Sequence, residues 1–215
     1  ASHGNEQIDP EGYAACKAAA STLDRLAAER VGAEMRRMLM LPRVGNTLTA
    51  MLRAEVLALP EQAVKLLHAY ERRARRPDLV GRLAILMSEM TAEALQESWR
   101  LSNDEIRTAT AVLTVARLLA DFRINEAAYR HPAALGDGVD VAGVLSDWGE
   151  AGKAAVRDQL ERLDVPRFPL NGGDLVAAGL SPGPALGAEL ERLERHWIES
   201  GFTLDRQALL GMVQR

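Results

Sequence analysis

Signals for the start and the end of helices recur at short intervals along this chain. Asp9-Pro10-Glu11 combines a capping side chain, a proline suited to the first helical position and a nearby acidic residue. Ser102 and Glu105 have the spacing of a capping box, and prolines such as Pro42 end the helical patterns. These signals predict about twelve short helices in succession, which is an all-α fold in the form of an elongated multi-helix array.

The composition agrees with a helical protein. Aromatic residues make up only 4% of the chain, whereas 47% of residues are hydrophobic and 26% are charged. Helices pack well through aliphatic side chains, while sheets are richer in β-branched and aromatic residues. No stretch approaches the ~20 apolar residues of a membrane span, and no signal-peptide pattern is present. We therefore expect a cytoplasmic protein with no membrane partner.

The residue types that often carry chemistry are sparse and scattered. The single cysteine, Cys16, lies among alanines, which predicts a small buried side chain and not a nucleophile. The histidines lack the spacing of metal ligands, so we expect no metal site; they are His3, His68, His131 and His196. The tryptophans could stack on bases, but their apolar periodic surroundings favour core packing; they are Trp99, Trp148 and Trp197.

The charge distribution leaves the question of nucleic-acid binding open. The net charge is −4 and the pI is about 5.7, whereas a dedicated nucleic-acid domain often has a pI above ~9. Electrostatic attraction of a nucleic acid depends on local patches of surface charge, however, and not on net charge alone. One basic cluster ends a predicted helix before Pro77 and consists of Arg72, Arg73, Arg75 and Arg76. These guanidinium groups could bind phosphates, or they could remain in solvent at a favourable helix end.

Residues 168–187, with the sequence FPLNGGDLVAAGLSPGPALG, resemble the tail of bacterial CCA-adding tRNA nucleotidyltransferases and of the related poly(A) polymerases. Residues 23–35, LDRLAAERVGAEM, resemble the neck motif of the same family, with Ala27 where serine is common. The segments ASHGN at 1–5 and EGYAAC at 11–16 resemble the sequence that follows the family's catalytic head. The resemblance covers nearly the whole chain in the family's order.

The resemblance implies an organisation into neck, body and tail. We expect neck helices over residues 1–58, a helical body over 59–132, a joint with linking helices over 133–169 and tail helices over 170–215. Gly136 and Gly138 make residues 133–139 the candidate for a flexible joint. Glu29, Arg30 and Glu34 of the neck motif are expected to have a structural role near the head.

The family's catalytic motifs are not found in this sequence. Its head carries a Gly-Gly-x-Val-Arg-Asp loop and an Asp-x-Asp pair that holds metal ions, and Asp137 and Asp140 do not lie in such a context. The Glu-Asp-x-x-Arg motif that selects the incoming base would lie before Ala1. We therefore expect a truncated form without catalytic residues or cofactors of its own, whereas the intact enzyme would use Mg²⁺ with CTP and ATP.

The resemblance implies that the chain holds tRNA for a catalytic head that is absent from it. Besides the arginine cluster, the tail offers helix starts whose free N–H groups could bind phosphate, at Gly172, Gly173 and Gly183. These glycines could instead only permit tight turns, and Asp174 is expected to cap the first of these helices. Two alternatives remain: the same region of a poly(A) polymerase, or a helical protein-interaction module.

Overall fold

The structure, a computed structural model, describes residues 9–25, 27–73 and 78–214. Within these ranges it contains α-helices, two short 3-10 helices and no strand, which confirms the prediction of an all-α multi-helix array. The α-helices are α1 (Pro10–Ala19), α2 (Ala28–Leu39), α3 (Val44–Arg53), α4 (Glu61–Arg73), α5 (Leu79–Met87), α6 (Ala92–Trp99), α7 (Asn103–Ala120), α8 (Ile124–Arg130), α9 (Leu135–Leu145), α10 (Glu150–Arg162), α11 (Gly172–Ala177), α12 (Pro184–Glu199) and α13 (Arg206–Gly211). The 3-10 helices are Ala20–Arg25 and Pro132–Ala134.

The helix starts follow the capping chemistry of the sequence. Asp9 accepts hydrogen bonds from the backbone N–H groups of Glu11 and Gly12, the latter at 2.9 Å. At the start of α7, the Glu105 N–H donates to Ser102 Oγ at 3.2 Å, and the Ser102 N–H donates back to Glu105 Oε2 at 2.7 Å. The predicted capping box is therefore confirmed.

The larger hydrophobic core is built around α5 and α7. Every residue of α5 from 81 to 87 is buried, and α7 packs between α5 and α9. Side chains of α2, α3, α4 and α6 join the same core. Among the described residues, no helix has both the length and the apolar character needed to cross a membrane.

A second hydrophobic core lies towards the end of the chain and surrounds Trp197. The rings of Tyr129, Phe168 and Phe202 lie 5.4, 5.4 and 4.7 Å from the Trp197 ring, centroid to centroid. Tyr129 comes from α8, so this core connects α8 to the helices α11, α12 and α13. The domain boundaries expected from the sequence stay a prediction.

Two local expectations are corrected by the structure. Residues 133–139 do not form a loop-like joint, because they continue into α9, where Gly138 is buried. A Cβ atom at Gly138 would lie 2.2 Å from Val115 Cγ1, so this glycine permits close packing of α9 on α7. Cys16 is exposed, not buried, because α1 buries none of its side chains among the described residues.

The tryptophan expectation agrees with the packing. Trp99 and Trp197 are buried, and Trp148 is partly buried against the larger core.

Candidate nucleic-acid interface

The structure separates the members of the predicted arginine cluster. Arg72 is exposed in the last turn of α4. Arg73 is turned towards α9, where its Nη1 donates to the Gly143 carbonyl at 2.6 Å and its Nη2 pairs with Asp147 at 2.5 Å. Arg75 and Arg76 lie outside the described residues. Arg72 is therefore open to an anionic partner, whereas Arg73 fastens the end of α4 to α9.

Two further contacts position the end of α4. The Tyr70 hydroxyl donates to Asp78 Oδ2 at 2.6 Å, which links the residues on either side of the basic segment. Burial, together with this hydrogen bond to Asp78, raises the pKa of Tyr70 well above its usual value. Tyr70 thus remains a neutral donor at physiological pH. This hydrogen bond helps to fix the end of α4, where Arg72 lies.

Glu71 and Arg82 form a buried ion pair at 2.9 Å, with side chains only 8% and 3% exposed. Arg82 also donates to the Leu39 carbonyl and, at 2.8 Å, to the Leu41 carbonyl, both at the end of α2. Glu71 accepts from the Gly45 N–H at 3.1 Å, near the start of α3. These contacts satisfy Nη1 and Nη2 of Arg82, whereas its buried Nε has no hydrogen-bond partner among the described residues. This pair joins the α2–α3 corner to α4 and α5.

The sequence analysis missed the Glu71–Arg82 pair. The available signal was Arg82 itself, a single charged residue in the otherwise apolar helix α5. Arginine is almost never fully buried without a partner, so its position predicted a buried ion pair but not the identity of the acid. Burial lowers the pKa of Arg82, while the neighbouring Glu71 carboxylate acts in the opposite direction.

A line of basic residues follows the exposed side of α3 and α4. Lys65, His68 and Arg72 are spaced at i, i+3 and i+7 on α4 and therefore share one face. Arg53 of α3 lines the same surface pocket of about 280 Å³ as Lys65 and His68. We call these four residues, Arg53, Lys65, His68 and Arg72, the α3–α4 stripe.

An acid, Glu61, lines the same pocket as Arg53, Lys65 and His68. Glu61 lies 4.0 Å from Lys65, and both side chains are largely exposed. The His68 ring contacts Thr49 Oγ1 at 3.1 Å, which orients the imidazole within the pocket. The exposed side chains of Arg53, Lys65 and Arg72 can bind phosphate groups, whereas His68 is half-buried. The sequence analysis identified Arg72 but overlooked the other members.

Glu29, Arg30 and Glu34 of the neck motif lie on α2. Glu34 pairs with Arg37 at 2.8 Å, and Glu29 lies 3.5 Å from Arg100. Arg30 is exposed beside an apolar groove of about 610 Å³ between the first three helices. Gly32 within the motif meets α6 so closely that a Cβ atom would lie 1.7 Å from the Trp99 carbonyl oxygen. The structural role predicted for the three charged residues stays a prediction.

The two predicted phosphate-binding turns in the tail differ in whether a side chain caps the helix that follows. Asn171, not Asp174, caps α11, since its Oδ1 accepts from the Gly173 N–H at 2.8 Å and from the Asp174 N–H at 3.3 Å. Asp174 instead accepts from the Asn171 N–H at 2.8 Å, and a hydrogen bond from Arg206 is the main reason that its pKa is lowered. Gly172 lies at the first position of this capped helix. The two donors bound by Asn171 are therefore already occupied.

Gly183 precedes α12 and has no side chain to cap it. Its φ of +153° suits glycine, and Pro184 follows at the first helical position. The structure therefore explains Gly183 by its backbone conformation, and its contact with RNA stays a prediction.

Comparison with known proteins identifies relatives along the chain. Residues 7–66 match a family model described as "Probable RNA and SrmB- binding site of polymerase A". The chain is 29% identical to the CCA-adding enzyme of Limosilactobacillus fermentum over 95% of its own length and 54% of that enzyme. It is 30% identical to the CCA-adding enzyme of Streptococcus mutans over 55% of the chain and 31% of the enzyme.

A shorter match extends to an animal protein. The chain is 30% identical to the mouse mitochondrial CCA tRNA nucleotidyltransferase 1 over 30% of the chain and 15% of that protein. The chain spans about half the length of the Limosilactobacillus enzyme. Together, the matched family model and the relatives that cover most of the chain support an assignment to the C-terminal region of the CCA-adding enzyme and poly(A) polymerase family.

Proposed function

We propose that this chain is the tRNA-holding part of a CCA-adding tRNA nucleotidyltransferase. The observation that carries the proposal is the similarity to a CCA-adding enzyme along 95% of the chain. The family description of residues 7–66 as a probable RNA-binding site supports the same conclusion. Those residues include Arg53 and Lys65 of the α3–α4 stripe, which supplies a chemical basis for binding an RNA backbone.

The α3–α4 stripe would contact phosphates without reading sequence. Arginine and lysine bind phosphate oxygens through charge-assisted hydrogen bonds, which dominate sequence-independent affinity. RNA helices are recognised mostly through shape and backbone because their major groove is too deep and narrow for side chains. Arg73 and the Glu71–Arg82 pair would act indirectly by fixing the orientation of α4.

The intact enzyme would add nucleotides from CTP and ATP with Mg²⁺ at its catalytic head, while the described residues of this chain would hold the tRNA. In the described part of the chain, no three His, Cys, Asp or Glu side chains come together where they could hold a metal ion. The proposal therefore assigns no chemical step to these residues. Incubation with tRNA, radiolabelled CTP and ATP, and Mg²⁺ is expected to give no incorporation above a blank. Incorporation would contradict the assignment of a holding role alone.

The first test measures tRNA binding at several salt concentrations. Because lysine and arginine side chains that bind phosphates displace counterions from RNA, the affinity of the wild-type chain for tRNA is expected to fall steeply as the salt concentration rises. Arg72→Glu should weaken binding and reduce the slope of log K against log salt by about one unit. Fluorescence anisotropy of labelled tRNA measures both quantities.

Arg162→Glu is the matched control for this test. Arg162 is a largely exposed arginine of α10 whose nearest acid is Asp158 on the same helix. Arg162→Glu changes the net charge by the same amount as Arg72→Glu but lies outside the α3–α4 stripe. The slope of log K against log salt should therefore remain close to that of the wild type. Equal slopes for Arg72→Glu and the wild type would remove the stripe from the interface.

A poly(A) polymerase is the second candidate, because the matched family description names polymerase A. A chain that holds tRNA by shape is expected to bind folded tRNA more tightly than poly(A) of equal length. The reverse preference would favour the polymerase. Absence of salt-dependent binding to either RNA would favour a protein-interaction module.

A further inference from the structure

Phe122, in the turn between α7 and α8, has an unusual combination of backbone and side-chain properties. Its φ is +57°, in the left-handed region that favours glycine, and 82% of the residue is exposed. It belongs to neither hydrophobic core of the described residues. The positive φ is strained for phenylalanine, and burial of the ring within the described structure does not offset that strain.

The strained position is part of a regular helix end. The Phe122 N–H donates to the Leu119 carbonyl at 3.1 Å, and the Arg123 N–H donates to the Leu118 carbonyl at 2.8 Å. This is the Schellman arrangement, in which glycine is the usual residue at the position of Phe122. Helix termination therefore does not require phenylalanine here.

Comparison with other residues of positive φ makes Phe122 an exception. Glu55 binds Lys17 at 3.0 Å, and Asp147 binds Arg73. Phe202, the other phenylalanine with positive φ, packs on Trp197 in the second core. In these cases the side chain makes a contact within the described structure, whereas the Phe122 ring faces solvent.

We propose that the Phe122 ring is a platform on which an exposed base of a bound RNA stacks. The inference deepens the proposed function, on which it rests, by assigning a base contact outside the α3–α4 stripe. Aromatic rings stack on any base because every base has a flat π face. The buried side chains of Leu118, Leu119 and Ile124 anchor the turn on both sides. The backbone that carries the ring is therefore already fixed, and little conformational freedom is lost on binding.

The charges around Phe122 favour a stacked base over a phosphate. Arg117 and Arg123 are exposed near the ring in sequence, but Asp121 is exposed as well and Arg123 pairs with Glu126. Glu126 also lies 3.4 Å from Arg130, which in turn pairs with Glu194, so three cations and three carboxylates leave this surface close to neutral. The contribution of Phe122 to binding should therefore depend little on salt, in contrast to that of Arg72.

The test compares tRNA binding by Phe122→Leu and Phe122→Trp in the full chain. Leucine keeps an apolar side chain but has no π face, so binding is expected to weaken roughly 5- to 100-fold, the range for loss of one stacked base. Tryptophan should bind at least as well as phenylalanine. The slope of log K against log salt should be the same in all three proteins. Val165→Ala, which trims another exposed apolar side chain, is the control and should bind like the wild type.

Phe122→Gly separates function from folding. Glycine relieves the backbone strain and removes an exposed ring, so this variant should be more resistant to denaturant than the wild type while it binds tRNA as weakly as Phe122→Leu. Wild-type affinity in Phe122→Leu and Phe122→Gly would overturn the inference and leave the proposed function standing. Failure of the wild-type chain itself to bind tRNA would overturn both.

Discussion

The carboxylate of Glu105 binds two different parts of the structure. It accepts the Ser102 N–H in the capping box of α7, and it forms a two-pronged pair with Arg36 of α2, at 2.7 Å to Nε and 3.0 Å to Nη2. Arg36 also donates to the Arg100 carbonyl at 2.8 Å. The hydrogen bond from Arg36 is the main reason that the pKa of Glu105 falls to about 2, with the Ser102 hydrogen bonds adding to it.

This lowered pKa makes part of the stability pH-dependent. A carboxyl whose pKa is lower in the folded state than its ordinary 4.5 stabilises the fold above pH 4.5 and loses that effect as pH falls towards 2. Glu105→Gln keeps a capping side chain but loses the charge, so its free energy of unfolding at pH 7 should be lower by about 1–2 kcal/mol. Urea denaturation from pH 7 to pH 2 should show the difference shrinking over that window.

Asp104→Asn is the neighbouring control. Asp104 is largely exposed and pairs with Arg107 one turn away on the same helix, so its replacement should cost less than about 0.5 kcal/mol. A Glu105→Gln difference that stays constant down to pH 2 would show that the ion pair with Arg36 is not its source.

At the scale of elements, the packing of α9 on α7 depends on Gly138. Gly138 lies where a Cβ atom would overlap Val115 of α7, whereas a Cβ atom at Gly136, two residues earlier, would meet nothing within 4 Å. Both residues are helical. The two glycines therefore form a matched pair in one helix.

We expect opposite effects from alanine at these two positions. Gly138→Ala should lower the free energy of unfolding by about 1–3 kcal/mol, because α9 or Val115 must move. Gly136→Ala should raise it by about 0.5 kcal/mol, since alanine reduces the freedom of the unfolded chain and favours helix. Thermal and chemical denaturation of both variants measures the contrast. Destabilisation by Gly136→Ala of the same size as by Gly138→Ala would contradict the packing seen here.

At the scale of the whole molecule, a few polar contacts link the two hydrophobic cores. Glu194 of α12 accepts from the Tyr129 hydroxyl at 2.9 Å and from Arg130 at 3.0 Å. Asn125 donates to the Ile198 carbonyl at 3.4 Å. The second core could therefore open while the α5–α7 core stays folded, in the manner of a separate cooperative unit.

Trp197→Ala tests the independence of the second core. Removing this buried ring should cost about 3–5 kcal/mol within that core. Amide hydrogens of α11, α12 and α13 are then expected to exchange faster, while those of α5 and α7 keep most of their protection in hydrogen-exchange mass spectrometry. Equal loss of protection in α5 and α7 would show that the chain unfolds as one unit. Trp148→Ala, at a partly buried position of the larger core, is the comparison.

Local chemistry in the sequence determined where some of the helices begin, as at α1 and α7. The caps at Asp9 and Ser102 involve residues no more than three positions apart, so their spacing alone predicts the contact. The largely apolar residues of α5 are typical of a helix that is buried on most faces, and residues 81–87 are all buried. The family resemblance is carried by contiguous motifs and was also visible in the sequence.

Contacts between distant residues were decided only by the tertiary structure. Arg73 looks like Arg72 in the sequence, yet its partners lie 70 and 74 residues away and only the packing of α4 on α9 brings them together. The exposure of Cys16 and of Phe122 has the same origin, because an apolar residue is buried only where another element covers it. The chemical type of a side chain determines what it can bind, whereas the arrangement of the helices determines which partner lies within reach.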